Sequence, residues 1–212
     1  FTQKPLLPAS ESITQEVTGV LLVDLDNDAD LDLYLLSGSA EFVPGAPEYQ
    51  DRVYVNDGKG NFKLDPISSI AVGNGSVVRG ADFDGDGFVD VFVGGRAPIG
   101  QYPLPEKSFL LKNEKGKLTD VTKTWIPELN NLGMLTDAEL MDVNGDGMSD
   151  IIITGEWMGI EVLIRKENSF VHDDSYFPSR INGAWNSITT SDLDADGDLD
   201  LIVGNQGWNN PY

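Results

Sequence analysis

Cysteine is missing from all 212 residues, so the chain has neither a disulfide framework nor a thiolate metal site. Histidine is nearly missing too. A Ser-His-Asp arrangement would have only His172 to draw on, and that residue stands beside Asp173 and Asp174 in what reads as a surface turn near a hairpin end. Basic side chains are scarce, 14 against 35 acidic ones, for a net charge of −21. The clustered Lys and Arg that nucleic acid requires are therefore absent. Nowhere do about 18 apolar residues follow one another, so no membrane-spanning segment is expected. The first residues, Phe1 to Pro5, lack a charged region followed by an apolar one; a secretion signal or anchor is expected to lie outside this chain.

What is present is repetition. Asp24-Leu-Asp-Asn-Asp-Ala-Asp-Leu-Asp32, Asp82-Phe-Asp-Gly-Asp-Gly-Phe-Val-Asp90, Asp142-Val-Asn-Gly-Asp-Gly-Met-Ser-Asp150 and Asp192-Leu-Asp-Ala-Asp-Gly-Asp-Leu-Asp200 follow one pattern, Asp-x-Asp-x-Asp-Gly-x-x-Asp. Each runs straight into an apolar stretch. A hard cation such as Ca²⁺ takes six to eight oxygens, and a short loop can supply them from alternate side chains and a backbone carbonyl. An EF-hand would need a Glu at position 12, where the fourth loop has Val203, so these are loops leading into strands rather than helix–loop–helix units. The loops hold about half of the chain's acidic residues. Carboxylates packed this densely repel one another unless a cation neutralises them, so the acidity reads as that of metal sites and not of a disordered tail.

The period of roughly 50–60 residues, with several short strands in each unit, predicts an all-β architecture of propeller blades or a similar array. With 40% apolar residues the chain can pack a core, and 23 Gly and 11 Pro supply its turns. Each unit reads as an entering strand, an acidic loop, a leaving strand, a connection and a hairpin. In the first unit these strands fall over 19–23 and 33–36, with a hairpin over 52–63 turned by Asp57-Gly58 and Lys59-Gly60. The second has strands over 77–81 and 91–94 and a hairpin over 109–118. The third has strands over 136–141 and 151–154, a shortened connection over 155–159 and a hairpin over 161–170. The fourth stops after a strand over 201–203. The expected division is an arm or remnant of a preceding blade over 1–16, blades over 17–69, 70–126 and 127–178, and a partial blade over 179–212. About three and a half blades leave a bare sheet edge, to be covered by the remaining blades of a longer chain or by a protein partner.

The acidic loops resemble the FG-GAP/VCBS repeats of integrin α-subunit propellers. Three further phrases (residues 49–62, 93–105 and Gly155-Glu-Trp-Met158) resemble VCBS repeat proteins related to cartilage acidic protein, common among exported proteins of Bacteroidetes. The resemblance spans about residues 17–212. It implies a seven-bladed, calcium-containing propeller placed extracellularly, on the cell surface or in the periplasm, within a larger chain. It also implies about four Ca²⁺ sites, with side-chain ligands at loop positions 1, 3, 5 and 9 and a carbonyl at position 7. These would be Asp24, Asp26, Asp28 and Asp32 with the carbonyl of Asp30, then Asp82, Asp84, Asp86 and Asp90 with that of Phe88. The third set would be Asp142, Asn144, Asp146 and Asp150 with Met148, and the fourth Asp192, Asp194, Asp196 and Asp200 with Asp198. Ala29 in place of Gly, and Asn144 in place of Asp, mark the first and third loops as the weakest.

The family resemblance names no single activity. If the connections share one rim, Arg96, Tyr102, Glu156, Trp157, Trp208 and Asn209 gather there, in a combination that suits a protein interface or a glycan. Glu156 could serve acid–base chemistry, but it reads more simply as a connecting-loop residue paired with an Arg of the neighbouring blade such as Arg96. The expectation is a non-catalytic, calcium-stabilised interaction module. The alternative is a carbohydrate-binding or polysaccharide-cleaving propeller of the lyase or hydrolase type.

Overall fold

The computed structural model describes residue 7 and residues 14–65, 71–177 and 182–207. The described chain is almost wholly antiparallel β. Strands β1 (Val17–Val23), β2 (Asp32–Ser37), β3 (Arg52–Asn56) and β4 (Phe62–Asp65) pair in sequence order into one sheet. Strands β5 (Gly75–Ala81), β6 (Asp90–Gly95), β7 (Phe109–Glu114) and β8 (Lys117–Asp120) make a second in the same order. A third holds β9 (Met134–Met141), β10 (Asp150–Met158), β11 (Glu161–Lys166) and β12 (Ser169–His172), followed by the pair β13 (Gly183–Ser191) and β14 (Asp200–Asn205). This repeated four-strand order is consistent with propeller blades.

The sheets stack through apolar side chains presented at the strand period of two. On β2, Tyr34 and Leu36 point to a core shared with Val78, Val91, Val93 and Leu111 of the second sheet. Leu33 and Leu35 point the other way, onto Tyr54, Phe62 and Leu7. The second and third sheets enclose a larger core containing Phe83, Phe92, Leu110, Ile151, Ile153, Leu163 and Phe170. Its floor is a four-residue helix, α1 (Thr122–Trp125), and the turn after it, which bury Trp125, Ile126 and Leu129. Ile152, Val162, Ile164 and Ile188 join the third sheet to the last strand pair.

The first strand of each unit lies against the first strand of the next: β1 on β5, β5 on β9, β9 on β13. One hydroxyl per unit ties them. Thr18 Oγ1 donates to the Gly75 carbonyl at 2.9 Å, Ser76 Oγ to that of Leu135 at 2.7 Å, and Thr136 Oγ1 to that of Trp185 at 2.7 Å. Each donor stands six residues before its own acidic loop, so the seam repeats with the sequence. The approach is close. A Cβ on Gly75 would lie 2.3 Å from Leu36 Cδ1, so any larger residue there would force the buried Leu36 side chain to move.

One element differs from the sequence reading. Residues 155–159 were expected as a connection, yet β10 runs on to Met158, and its tail pairs with β13 through Glu156↔Ala184 and Met158↔Gly183. Gly155 permits this by a register shift at Thr154/Gly155, where a Cβ would meet the Met134 carbonyl at 2.2 Å. Glu156 and Trp157 are therefore strand residues, not loop residues.

Candidate functional site

Each acidic loop is a tight backbone coil drawn around its own carboxylates. In the second loop Asp82 Oδ1 accepts from the Gly85 and Asp86 amides at 2.7 and 3.2 Å, and Oδ2 accepts from Gly87 at 2.8 Å. Asp142 repeats this with Gly145, Asp146 and Gly147 at 2.8, 3.1 and 2.7 Å. These amide bonds, Gly147 foremost, hold the Asp142 carboxyl below the usual carboxylate range. The position-5 carboxylates Asp28, Asp86, Asp146 and Asp196 each accept from the amide two residues on, at 2.9–3.1 Å. Two residues per loop stand at left-handed φ: Asn27 and Ala29 (62° and 71°), Gly85 and Gly87 (76° and 88°), Gly145 and Gly147 (74° and 83°), Ala195 and Gly197 (62° and 96°). The sequence pattern singled out only the second of each pair.

The ninth residue has a second task that the pattern did not reveal. Asp32, Asp90, Asp150 and Asp200 each accept, through Oδ2, from the amide of loop position 2 at 2.9–3.0 Å. Through Oδ1, Asp32, Asp90 and Asp150 also accept from the amides of Asn56, Asn113 and Arg165 on the third strand, at 2.9, 2.7 and 2.7 Å. These carboxylates pin each loop to its hairpin. Burial pushes Asp90 up to about 6 and shifts Asp32 and Asp150 upward as well.

The third-strand residues reach onward to the neighbouring unit. Asn113 Nδ2 donates to the Leu25 carbonyl at 2.8 Å, and Arg165 Nε donates to the Phe83 carbonyl, in both cases position 2 of the preceding acidic loop. The Arg165 guanidinium is buried and lies 5.1 Å from the Trp125 ring centroid. The first two loops are thus held by their own sheets and clamped by the next.

Oxygen atoms converge as a metal site needs. Ligand atoms of Asp24, Asp26 and Asp32 lie within 4.8 Å of one another, as do those of Asp82, Asp84 and Asp86, and of Asp192, Asp194 and Asp200. The third loop forms no such carboxylate trio, because Asn144 takes the place of one member. In the first loop Asp24 Oδ1 and Asp30 Oδ1 are buried without a hydrogen-bond partner, an arrangement that costs free energy unless a cation is bound. Burial, and then the charge of Asp28, raise Asp26 and Asp30. The residues present therefore fit a hard divalent cation, whose chemistry here would be to neutralise the crowded carboxylates. The second loop differs: Lys112 Nζ is hydrogen-bonded to Asp84 Oδ2 and lies 3.6 Å from Asp86 Oδ2. Burial pushes Asp84 up, but the Lys112 bond and the Asp86 amide outweigh it and leave the carboxyl low. Val55 and Ile164 stand at the same strand position in the first and third sheets, so this tethered cation belongs to the second loop.

The rim residues also come together. Arg96 and Glu156 form an ion pair across the second and third sheets, with the Glu156 side chain 10% exposed. Beside them Trp157 Nε1 donates to the Tyr102 hydroxyl at 2.5 Å. Trp208 and Asn209 lie outside the described residues. His172 departs from the expected surface turn: it ends β12, is partly buried, and its Nε2 lies 2.5 Å from Glu161 Oε2. No helix among the described residues is long and apolar enough to cross a membrane.

The FG-GAP-like repeat model matches residues 24–93 and 142–203, more than half of the chain, and the chain belongs to that family. Among solved structures it is similar to an Agrocybe aegerita lectin described as specifically recognising non-reducing terminal N-acetylglucosamine. Identity is 18% and the TM-score 0.54, over 87% of this chain and 45% of the lectin. It also resembles the V. cholerae biofilm matrix protein Bap1, at 17% identity and a TM-score of 0.45, over 87% of this chain and 23% of that one. The chain spans less than half the length of either, and the likeness is one of fold. No curated relative matches it.

Proposed function

We propose that this chain is a calcium-stabilised, non-catalytic interaction module of an exported or cell-surface protein, acting within a longer chain or an assembly. The observation that carries the reading is the pair of buried, partnerless carboxylate oxygens of Asp24 and Asp30 inside an acidic loop that recurs in every unit. Ca²⁺ suits the site because all the donors are oxygens, and extracellular modules of this kind bind it at about 10⁻⁴–10⁻³ M. That range keeps the loops filled outside a cell. Within the family the chain is of the VCBS type related to cartilage acidic protein, as its phrases at 49–62 and 93–105 suggest.

Exposed Val20 and Leu22 on β1, and Leu199 and Ile202 at the last strand pair, offer apolar faces to further blades or to a protein partner. Glu156 is held by Arg96, which favours a structural or ligand-orienting role over acid–base work. That a fold of this kind serves recognition is in keeping with the lectin. The test is metal content. Equilibrium dialysis against increasing CaCl₂ is expected to show several bound calcium ions, approaching four per chain at saturation. Less than one per chain at saturation would contradict the proposal.

A further inference from the structure

The rim between the second and third sheets holds a bipartite cleft. One chamber of about 370 Å³ is walled by Pro103, Pro105, Gly133 and Met134. A second, of about 290 Å³, is walled by Arg96, Ala184, Asn186 and Gln206. Tyr102, Glu156 and Trp157 line both and form the partition.

Two features of the partition point outward, to a ligand. Trp157 is 60% exposed although its strand neighbours Glu156 and Met158 are buried, and Tyr102, on the connection after β6, is 56% exposed. Trp157 also stands at φ +62°, a conformation that a bulky residue adopts only where its surroundings impose it, and such strain gathers at ligand clamps. The indole N–H is bonded to the Tyr102 hydroxyl, so the two rings are fixed relative to each other before anything binds. On the polar side, the Arg96–Glu156 pair and the Asn186 amide place donors and acceptors on one wall.

We infer that this cleft binds a neutral pyranose ring bearing an acetamido group, that is, an N-acetylhexosamine unit of a glycan. The reading rests on the interaction-module proposal and names the ligand of its rim. The C–H face of a sugar ring packs on an exposed Trp or Tyr, its hydroxyls meet the Arg96, Glu156 and Asn186 wall, and the acetamido methyl enters the apolar chamber of Pro103, Pro105 and Met134. The chambers are too small for a helix or a strand, each being near the lower end of the range for small-ligand sites of about 300–1,000 Å³. A uronic acid or sulfated sugar is disfavoured, because Glu156 already neutralises Arg96 and the chain carries a net charge of −21.

The test is titration with chitotriose, cellotriose and trigalacturonic acid, followed by calorimetry and tryptophan fluorescence, in calcium at a concentration giving the highest melting temperature. Chitotriose is expected to bind, cellotriose at least about five-fold more weakly, and trigalacturonic acid not at all. Trp157→Ala and Tyr102→Ala, each checked for an unchanged melting temperature, are expected to weaken chitotriose binding about ten-fold or more. Absence of chitotriose binding, binding unaffected in both variants, or an equal preference for the acidic or unacetylated trimer would overturn the assignment. Calcium-dependent melting that persists alongside such a failure would leave the module reading standing and remove only the sugar.

Discussion

Asp51 shows how much a single buried group can contribute to pH dependence. Its Oδ1 accepts from the Ser37 amide at 2.8 Å and its Oδ2 from the Tyr34 hydroxyl at 2.7 Å, yet burial outweighs both bonds and pushes the carboxyl up to about 7. An unfolded Asp ionises near 4. Below that pH both states carry the proton and Asp51 adds no penalty. As pH rises towards 7 the unfolded state ionises first, and stability falls by up to about 4 kcal/mol, levelling off above the folded value. Asp51→Asn removes the ionisation and keeps an acceptor. In urea titrations in EDTA, the variant is expected to gain on the wild type between pH 5 and pH 8; a constant difference across that range would contradict this account. No motif announced Asp51, because a carboxylate reveals its burial only once Tyr34 and Ser37 are folded around it. Glu156 was better placed for inference: its pairing with Arg96 could be anticipated because the two stand at the same distance after the acidic loops of adjacent units, although Glu156 lies on β10 and not on a connection.

The loops and strands were the most legible elements, since the Asp spacing and the alternation of apolar residues are both local signals. What stayed hidden was cooperative. Arg165 bears no likeness in sequence to Asn56 and Asn113, yet all three offer their amides to a position-9 Asp, and Asn113 and Arg165 clamp the preceding loop. The continuation of β10 through Glu156 and Trp157 was misread as a connection because Gly155 and Gly159 resemble turn signals; Gly155 instead makes room for the Met134 carbonyl. The first loop departs from its siblings at Ala29, which sits at φ +71° where the other three have Gly. Ala29→Gly is therefore expected to raise stability by about 1 kcal/mol, read as a higher urea midpoint at unchanged slope. A lower midpoint would show that the loop is not strained at this residue.

Across the whole chain, the same seam is built three times. A hydroxyl six residues before each of the first three acidic loops (Thr18, Ser76 and Thr136) binds the next first strand, while the cores between sheets fill with alternate strand residues. Neighbouring units are also joined at the loops themselves, because Leu25 and Phe83 of the first two loops are bonded by Asn113 and Arg165 of the following sheets. Cation binding at the loops should therefore stabilise the array and not merely decorate it. With dissociation constants near 10⁻⁴ M, 10 mM calcium would add about 2.7 kcal/mol per site, and a few degrees of melting temperature follow from each kcal/mol. The most direct measurement is the melting temperature of the chelated protein before and after calcium is restored. The account predicts a reversible rise of about 20 °C or more at 10 mM, with magnesium at the same concentration giving much less. A melting temperature that calcium leaves unchanged would contradict it.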